Sequence, residues 1–117
     1  MAALSVAGLV VGASACGGGA EARPAAPAGD VVIVEKDYQF VPDQLELEVG
    51  QDLTIVVDNQ DQRTSHNIHF PTAPGSPRTK LENGPGYQAL TIRFDEAGSY
   101  PFVCDIHATM RGTVTAR

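Results

Sequence analysis

From Val31 onward, apolar positions recur with a period of two. Leu45, Leu47 and Val49 alternate with Gln44, Glu46 and Glu48, and Leu53, Ile55 and Val57 alternate with Asp52, Thr54 and Val56. Successive strand residues point to opposite faces, so each stretch predicts a half-buried β-strand. Val49-Gly50-Gln51-Asp52 reads as the turn between them, and residues 59–62 close the second. Further strands are expected at residues 31–36, 65–70, 89–94, 98–104 and 112–115, with Leu90, Ile92 and Phe94 sharing one face. Residues 71–86 hold four prolines and three glycines and predict a long irregular loop. About seven short strands and no amphipathic helix predict an all-β fold, a Greek-key β-sandwich.

The chain before Val31 follows other rules. Residues 2–15 are an apolar run too short to span a bilayer but suited to the apolar region of an export signal, and Ala13-Ser14-Ala15 supplies small residues for cleavage. Cleavage there leaves Cys16 as the new N-terminus before Gly17-Gly18-Gly19, which resembles the lipobox of bacterial lipoproteins. The same small residues also fit an ordinary secretory peptidase. The following stretch is small, Pro-rich and without apolar period, so it reads as a flexible tether. The expected organisation is a signal peptide over residues 1–15, a tether over 16–30 with Cys16 as a lipidation site, and one domain over 31–117. The expected location is outside the cytoplasm: on the outer face of the cytoplasmic membrane if Cys16 is lipidated, periplasmic or extracellular otherwise.

Composition narrows the function. With 117 residues, 43% of them hydrophobic, the chain has material for one domain core. A net charge of -6 excludes the basic surface that nucleic acid demands, and anionic lipid is disfavoured likewise, leaving a Cys16 anchor as the expected membrane contact. The charge is uneven: residues 30–61 carry nine acids and one lysine, and residues 63–117 carry six bases and four acids. Such a dipole can steer a charged partner. Cys16 and Cys104 are the two cysteines. Their settings argue against a disulfide, Cys16 lying at the leader's end and Cys104 in a different chemical context.

That context is the stretch from Ser99 to Gly112, which places Cys104, His107 and Met110 three residues apart directly after an expected strand. A thiolate, two imidazoles and a weak thioether form the donor set of a mononuclear blue-copper site: soft sulfur favours Cu(I), imidazole suits both oxidation states, and the axial donor tunes the potential. Cys104, His107 and Met110 supply three of these donors. The fourth must be His66 or His69, the remaining histidines. In a strand His66 shares a face with Ile68 and Phe70, which mark the buried side, so His66 is the expected ligand and His69 a surface residue. Zinc is a poorer match, because a methionine thioether is an unusual ligand for it.

Ser65-His66-Asn67-Ile68-His69-Phe70 followed by Cys104-x-x-His107-x-x-Met110-Arg111-Gly112 resembles the cupredoxins, and within them the amicyanin and plastocyanin group; the two-residue gap between His107 and Met110 is most like amicyanin. The likeness extends over residues 31–117, through Phe40-Val41-Pro42 and the residues 94–100 that lead into the Cys104 stretch. The resemblance implies a cupredoxin-like sandwich, one copper per chain cycling between Cu(II) and Cu(I), and Asn67 as an outer partner beside the thiolate. It also implies a monomeric one-electron carrier rather than an enzyme. Electrons would pass through the exposed edge of His107 to and from redox protein partners, with Ile106 and Ala108 as apolar contacts and Arg63 and Arg111 as rim charges. The other expectation is extracytoplasmic copper binding, buffering or delivery, which the ligand set alone does not exclude. Enzymatic copper centres fit less well. Multicopper oxidases flank the cysteine with histidines, whereas here its neighbours are Val103 and Asp105, and a binuclear site needs a second loop cysteine that is absent.

Overall fold

The computed structural model describes residues 25–117, so the leader and Cys16 lie outside the described residues. Nine strands follow in chain order: β1 (Val31–Lys36), β2 (Gln39–Val41), β3 (Gln44–Leu47), β4 (Asp52–Asn59), β5 (Ser65–His66), β6 (Glu82–Asn83), β7 (Gly86–Arg93), β8 (Gly98–Cys104) and β9 (His107–Ala116). None of the described residues is helical. The strands form a four-stranded sheet ordered β2-β1-β4-β7, a three-stranded sheet ordered β3-β9-β8, and a small β5-β6 ribbon. β1 runs parallel to β4 and β3 parallel to β9. Parallel neighbours cannot be joined by a tight hairpin, so the chain crosses between sheets to make these pairs.

The two inner faces share one apolar core. Ile33, Phe40, Leu53, Ile55, Val57 and Ile92 from the larger sheet meet Phe102, Cys104, Met110, Val114 and Ala116 from the smaller, with Ile68, Phe70 and Phe94 between them. Phe102 packs edge-on to Phe40 at 5.1 Å between ring centroids. Gly112 is what lets β9 lie so close, because a Cβ there would collide with the Phe102 ring and the Asp43 carbonyl. Gly50, with φ +79°, makes the expected turn between β3 and β4.

The structure corrects several expectations. It has nine strands among the described residues, not about seven. β2 spans three residues and β6 two, too short to show a period, and β6 lies inside the stretch expected to be an irregular loop, where it pairs with β5. Residues 65–70 are not one strand: pairing stops at His66, and His66, Asn67 and Ile68 are all buried, so alternation fails. The chain instead crosses to β8, where His69 and Val103 exchange two backbone hydrogen bonds of 2.9 Å. β9 begins at His107 rather than at Gly112. Val56, expected on the polar face, is wholly buried because Gly29 and Asp30 lie across it. Asp30 N donates to Thr54 O at 2.9 Å, and Thr54 N donates back to Asp30 Oδ2 at 2.8 Å.

Candidate metal centre

The centre is built on a hairpin and a crossing segment. Cys104 and His107 are paired residues at the end of the β8-β9 ladder, so Asp105 and Ile106 form a two-residue turn and the Cys-x-x-His spacing becomes a facing pair. A register shift between Val103 and Cys104 re-aims the end of β8. Cys104 Sγ lies 3.5 Å from His107 Nδ1. His66, brought across by the segment after β4, places its own Nδ1 3.1 Å from His107 Nδ1.

Three donors thus converge, and their ligand atoms lie within 4.8 Å of one another. Around one ion with bonds of about 2.0–2.3 Å, trigonal donors stand roughly 3.5 Å apart, so the arrangement fits a single metal. His66 and Cys104 are buried and His107 is partly exposed. Met110 is wholly buried on β9, in the same apolar cluster as Cys104. His69 is placed elsewhere: it is held by Asp105 Oδ1 at 2.7 Å and Ser76 Oγ at 2.8 Å, a half-buried structural residue rather than a free surface histidine.

The partners around these donors decide which atoms face inward. Asp61 Oδ2 sits 2.7 Å from His66 Nε2. A carboxylate accepts only, so Nε2 carries the proton and the Nδ1 lone pair is left toward Cys104 and His107. Desolvation pushes the Asp61 carboxyl up, but hydrogen bonds from His66, Tyr38 and Asp37 outweigh it and hold the group below its ordinary value. It is therefore ionised and accepts the hydrogen bond that His66 Nε2–H donates.

Asn67, expected beside the thiolate, bonds to the residue that follows it. Asn67 Oδ1 accepts from Asp105 N at 2.9 Å, while Nδ2 donates to Asp105 Oδ2 at 2.7 Å and to Thr79 O at 3.2 Å. The Asp105 carboxyl is raised by partial burial, yet bonds from Asn67 and His69 with the nearby Arg78 cation bring it below its usual range. Asn67 and His69 thereby tie the crossing segment to the turn between Cys104 and His107. Ile106, 52% exposed, stands beside His107 at the surface with Ala108.

Sequence reasoning missed Asp61, Tyr38, Thr79 and the Asp105 network. Asp61 stands five residues before His66 in a turn that the sequence marks only as polar. Nothing local singles it out, because its partners Asp37 and Tyr38 are more than twenty residues away.

Comparisons with known proteins point to one family and fold. A family model described as cupredoxin-like domain matches residues 3–116. Amicyanin-alpha of Methylorubrum extorquens is 27% identical over 115 residues, spanning 96% of this chain and 92% of that protein. Among solved structures, an oxidised proline-to-alanine mutant of amicyanin is similar with a TM-score of 0.58 and 28% identity, over 76% of this chain and 83% of that one. A reduced Cu(I) form, at pH 4, of a proline-to-glycine amicyanin mutant has a TM-score of 0.59 and 27% identity, over 78% and 85% of the two chains. Auracyanin from Roseiflexus castenholzii, reduced with dithionite, shares the fold at a TM-score of 0.64 with 18% identity, over 74% and 95%.

Proposed function

Because this chain belongs to the cupredoxin-like family, we propose that it is a mononuclear blue-copper protein that carries single electrons outside the cytoplasmic membrane. The observation that carries this reading is the convergence of His66 Nδ1, His107 Nδ1 and Cys104 Sγ on one small space. Copper, when bound, supplies a Cu(II)/Cu(I) couple, one copper per chain. Cys104 as thiolate and the two imidazoles would be its strong ligands, and the Met110 thioether would be a weak fourth donor that tunes the potential.

The residues of the chain prepare this site before metal arrives. Asp61 holds the His66 proton on Nε2 and so keeps Nδ1 free to bind. Asn67 braces Asp105 and with it the turn that pairs Cys104 with His107. The core around Cys104, which is 3% exposed, keeps water from the thiolate. His107, partly exposed beside Ile106, is the route for the electron to a redox donor or acceptor, and Arg63 and Arg111 orient that partner. The buried His66 and Cys104 favour retention of copper over its delivery to another protein. A carrier of this kind is a monomer that performs no bond-making reaction on a substrate. We further propose that residues 1–15 are a leader and that Cys16 is lipidated, with residues 16–30 tethering the domain to the outer face of the membrane.

The test is the visible spectrum of the copper-loaded protein. A trigonal Cu(II)-thiolate gives an intense blue charge-transfer band that reduction bleaches and reoxidation restores. A colourless copper complex overturns the reading.

A further inference from the structure

The turn between β1 and β2 has two residues, with Lys36 paired to Gln39 across it. Both of its central residues are left-handed, Asp37 at φ 52° and Tyr38 at φ 58°. Such a turn favours Asn-Gly or Asp-Gly, and a bulky aromatic at its second position is strained. The strain is held by one carboxylate. Asp61 Oδ1 accepts from Asp37 N at 2.8 Å and Asp61 Oδ2 from Tyr38 N at 3.1 Å, and the same Oδ2 accepts from His66 Nε2 at 2.7 Å. The turn and the His66 ring therefore share an anchor.

The strained conformation aims the Tyr38 ring. Its centroid lies 5.5 Å from that of His66 at an interplanar angle of 84°, and 4.9 Å from that of His107 at 89°. Both contacts are edge-to-face, the arrangement that aromatic quadrupoles favour. The two imidazoles stand 4.9 Å apart at 72°, so the three rings brace one another. Among the described residues, Tyr38 and His66 are the aromatic contacts of His107. Tyr38 is nevertheless 49% exposed, so burial of its own apolar surface is only part of what its placement achieves.

Resting on the copper reading above, we propose that Tyr38 is a positioning residue for both metal-binding histidines, an aromatic wall set by the Asp61-clamped turn that keeps their rings from moving between oxidation states. A one-electron carrier needs donor atoms that stay in place when the metal charge changes, and ligands locked by their neighbours meet that need. His66 is locked by burial and by Asp61. His107, partly exposed at the start of β9 just after a two-residue turn, depends on Tyr38 for a second side of its ring. Local strain kept at such a position serves preorganisation.

The test compares Tyr38→Phe, which keeps the ring, with Tyr38→Leu, which keeps apolar bulk, and Tyr38→Gly, which also relieves the left-handed strain. In the metal-free protein, NMR relaxation dispersion on the ring carbons of His66 and His107 reports microsecond-to-millisecond ring motion. Dispersion at His107 should rise in the Leu and Gly variants and match wild type in the Phe variant. In the copper-loaded protein, electron self-exchange should slow by about tenfold in the Leu and Gly variants, the size expected when reacting groups shift by a fraction of an ångström. Far-UV circular dichroism and the thermal midpoint of the Gly variant control for unfolding, since relief of strain there offsets the lost contact. Wild-type dispersion in both the Leu and Gly variants overturns the proposal. A Phe variant that behaves like Leu also overturns it, by placing the effect in the hydroxyl. If the wild type gives no blue band, the copper reading fails, while the metal-free dispersion still decides whether Tyr38 holds the rings.

Discussion

Cys104 and His107 face each other as the last pair of the β8-β9 ladder, Sγ 3.5 Å from Nδ1, across a turn of two residues. Their spacing in sequence is thus a consequence of hairpin geometry, and the strand that follows carries Met110 back into the core. Chemistry placed at the end of a ladder inherits the rigidity of both strands.

Removal of the thiolate should be decisive for colour. Cys104→Ala should bind no blue copper, and Cys104→Ser at best a pale, weakly held Cu(II), because the charge-transfer band belongs to the sulfur. Absorption and EPR spectra after copper titration check this. A blue Ala variant would place the thiolate role elsewhere.

Met110 should tune potential more than affinity. Met110→Gln replaces a soft thioether with a harder oxygen that favours Cu(II), so the variant should keep its metal and show a lower potential by voltammetry. An unchanged potential would assign Met110 to packing alone.

Glu35 should make stability depend on pH. The residue is 1% exposed and neither carboxylate oxygen has a hydrogen-bond partner among the described residues. Burial, then the negative charges of Asp61 and Asp58, push the carboxyl from 4.5 up to about 8. The folded state therefore holds this proton more tightly than the unfolded chain does. No penalty arises below the unfolded value. Stability falls as pH rises from there to the folded value, approaching about 1.4 kcal/mol per pH unit. Glu35→Gln, which cannot ionise, should be more stable than wild type by a margin that widens from pH 5 to pH 8. Urea unfolding of the metal-free proteins at each pH measures it, and a constant margin refutes a buried neutral acid.

Asn67→Ala should loosen the ligand turn. The change leaves Thr79 O and the part-buried Asp105 N without the partners they now have, and groups so placed, stripped of a bond, cost about 1–2 kcal/mol each, the lower part of the range for buried ones. A loss of about 2–4 kcal/mol in urea unfolding of the metal-free protein is expected. A near-neutral substitution would show that His69 and Arg78 hold Asp105 without it.

Cys16→Ser should move the protein from the membrane to the soluble fraction of cells, since stable anchoring needs more than one lipid chain and these require the cysteine. Fractionation and blotting decide it. A wild-type protein already soluble rules out the anchor.

Much of this molecule is written locally. The period of two across Leu45 to Val49 and Leu53 to Val57 announced strands because an apolar face must be buried, and β1 and β8 have the bounds that their patterns predict. Cys104, His107 and Met110 stood out because their side-chain chemistry is rare and their spacing is short. His66 was separated from His69 by reference to Ile68 and Phe70, although the strand assumed for that argument ends at His66 itself. The burial of Ile68 and Phe70 held, and the regular alternation did not.

What lay beyond the sequence depends on residues far apart along the chain. β2 and β6 exist because β1 and β5 offer them edges to pair with, not because three or two residues have a period. Val56 is buried because the chain before β1 returns across it. Asp61 meets Asp37 and Tyr38 across more than twenty residues, and Asn67 meets Asp105 across thirty-eight. Sequence by itself determined the longer periodic strands, the rare donors and their order, since periodicity and side-chain chemistry act at short range. Tertiary structure alone decided which carboxylate accepts the hydrogen bond of His66 Nε2 and which ring faces both histidines, because those contacts form only after two sheets and their crossings have closed on one core.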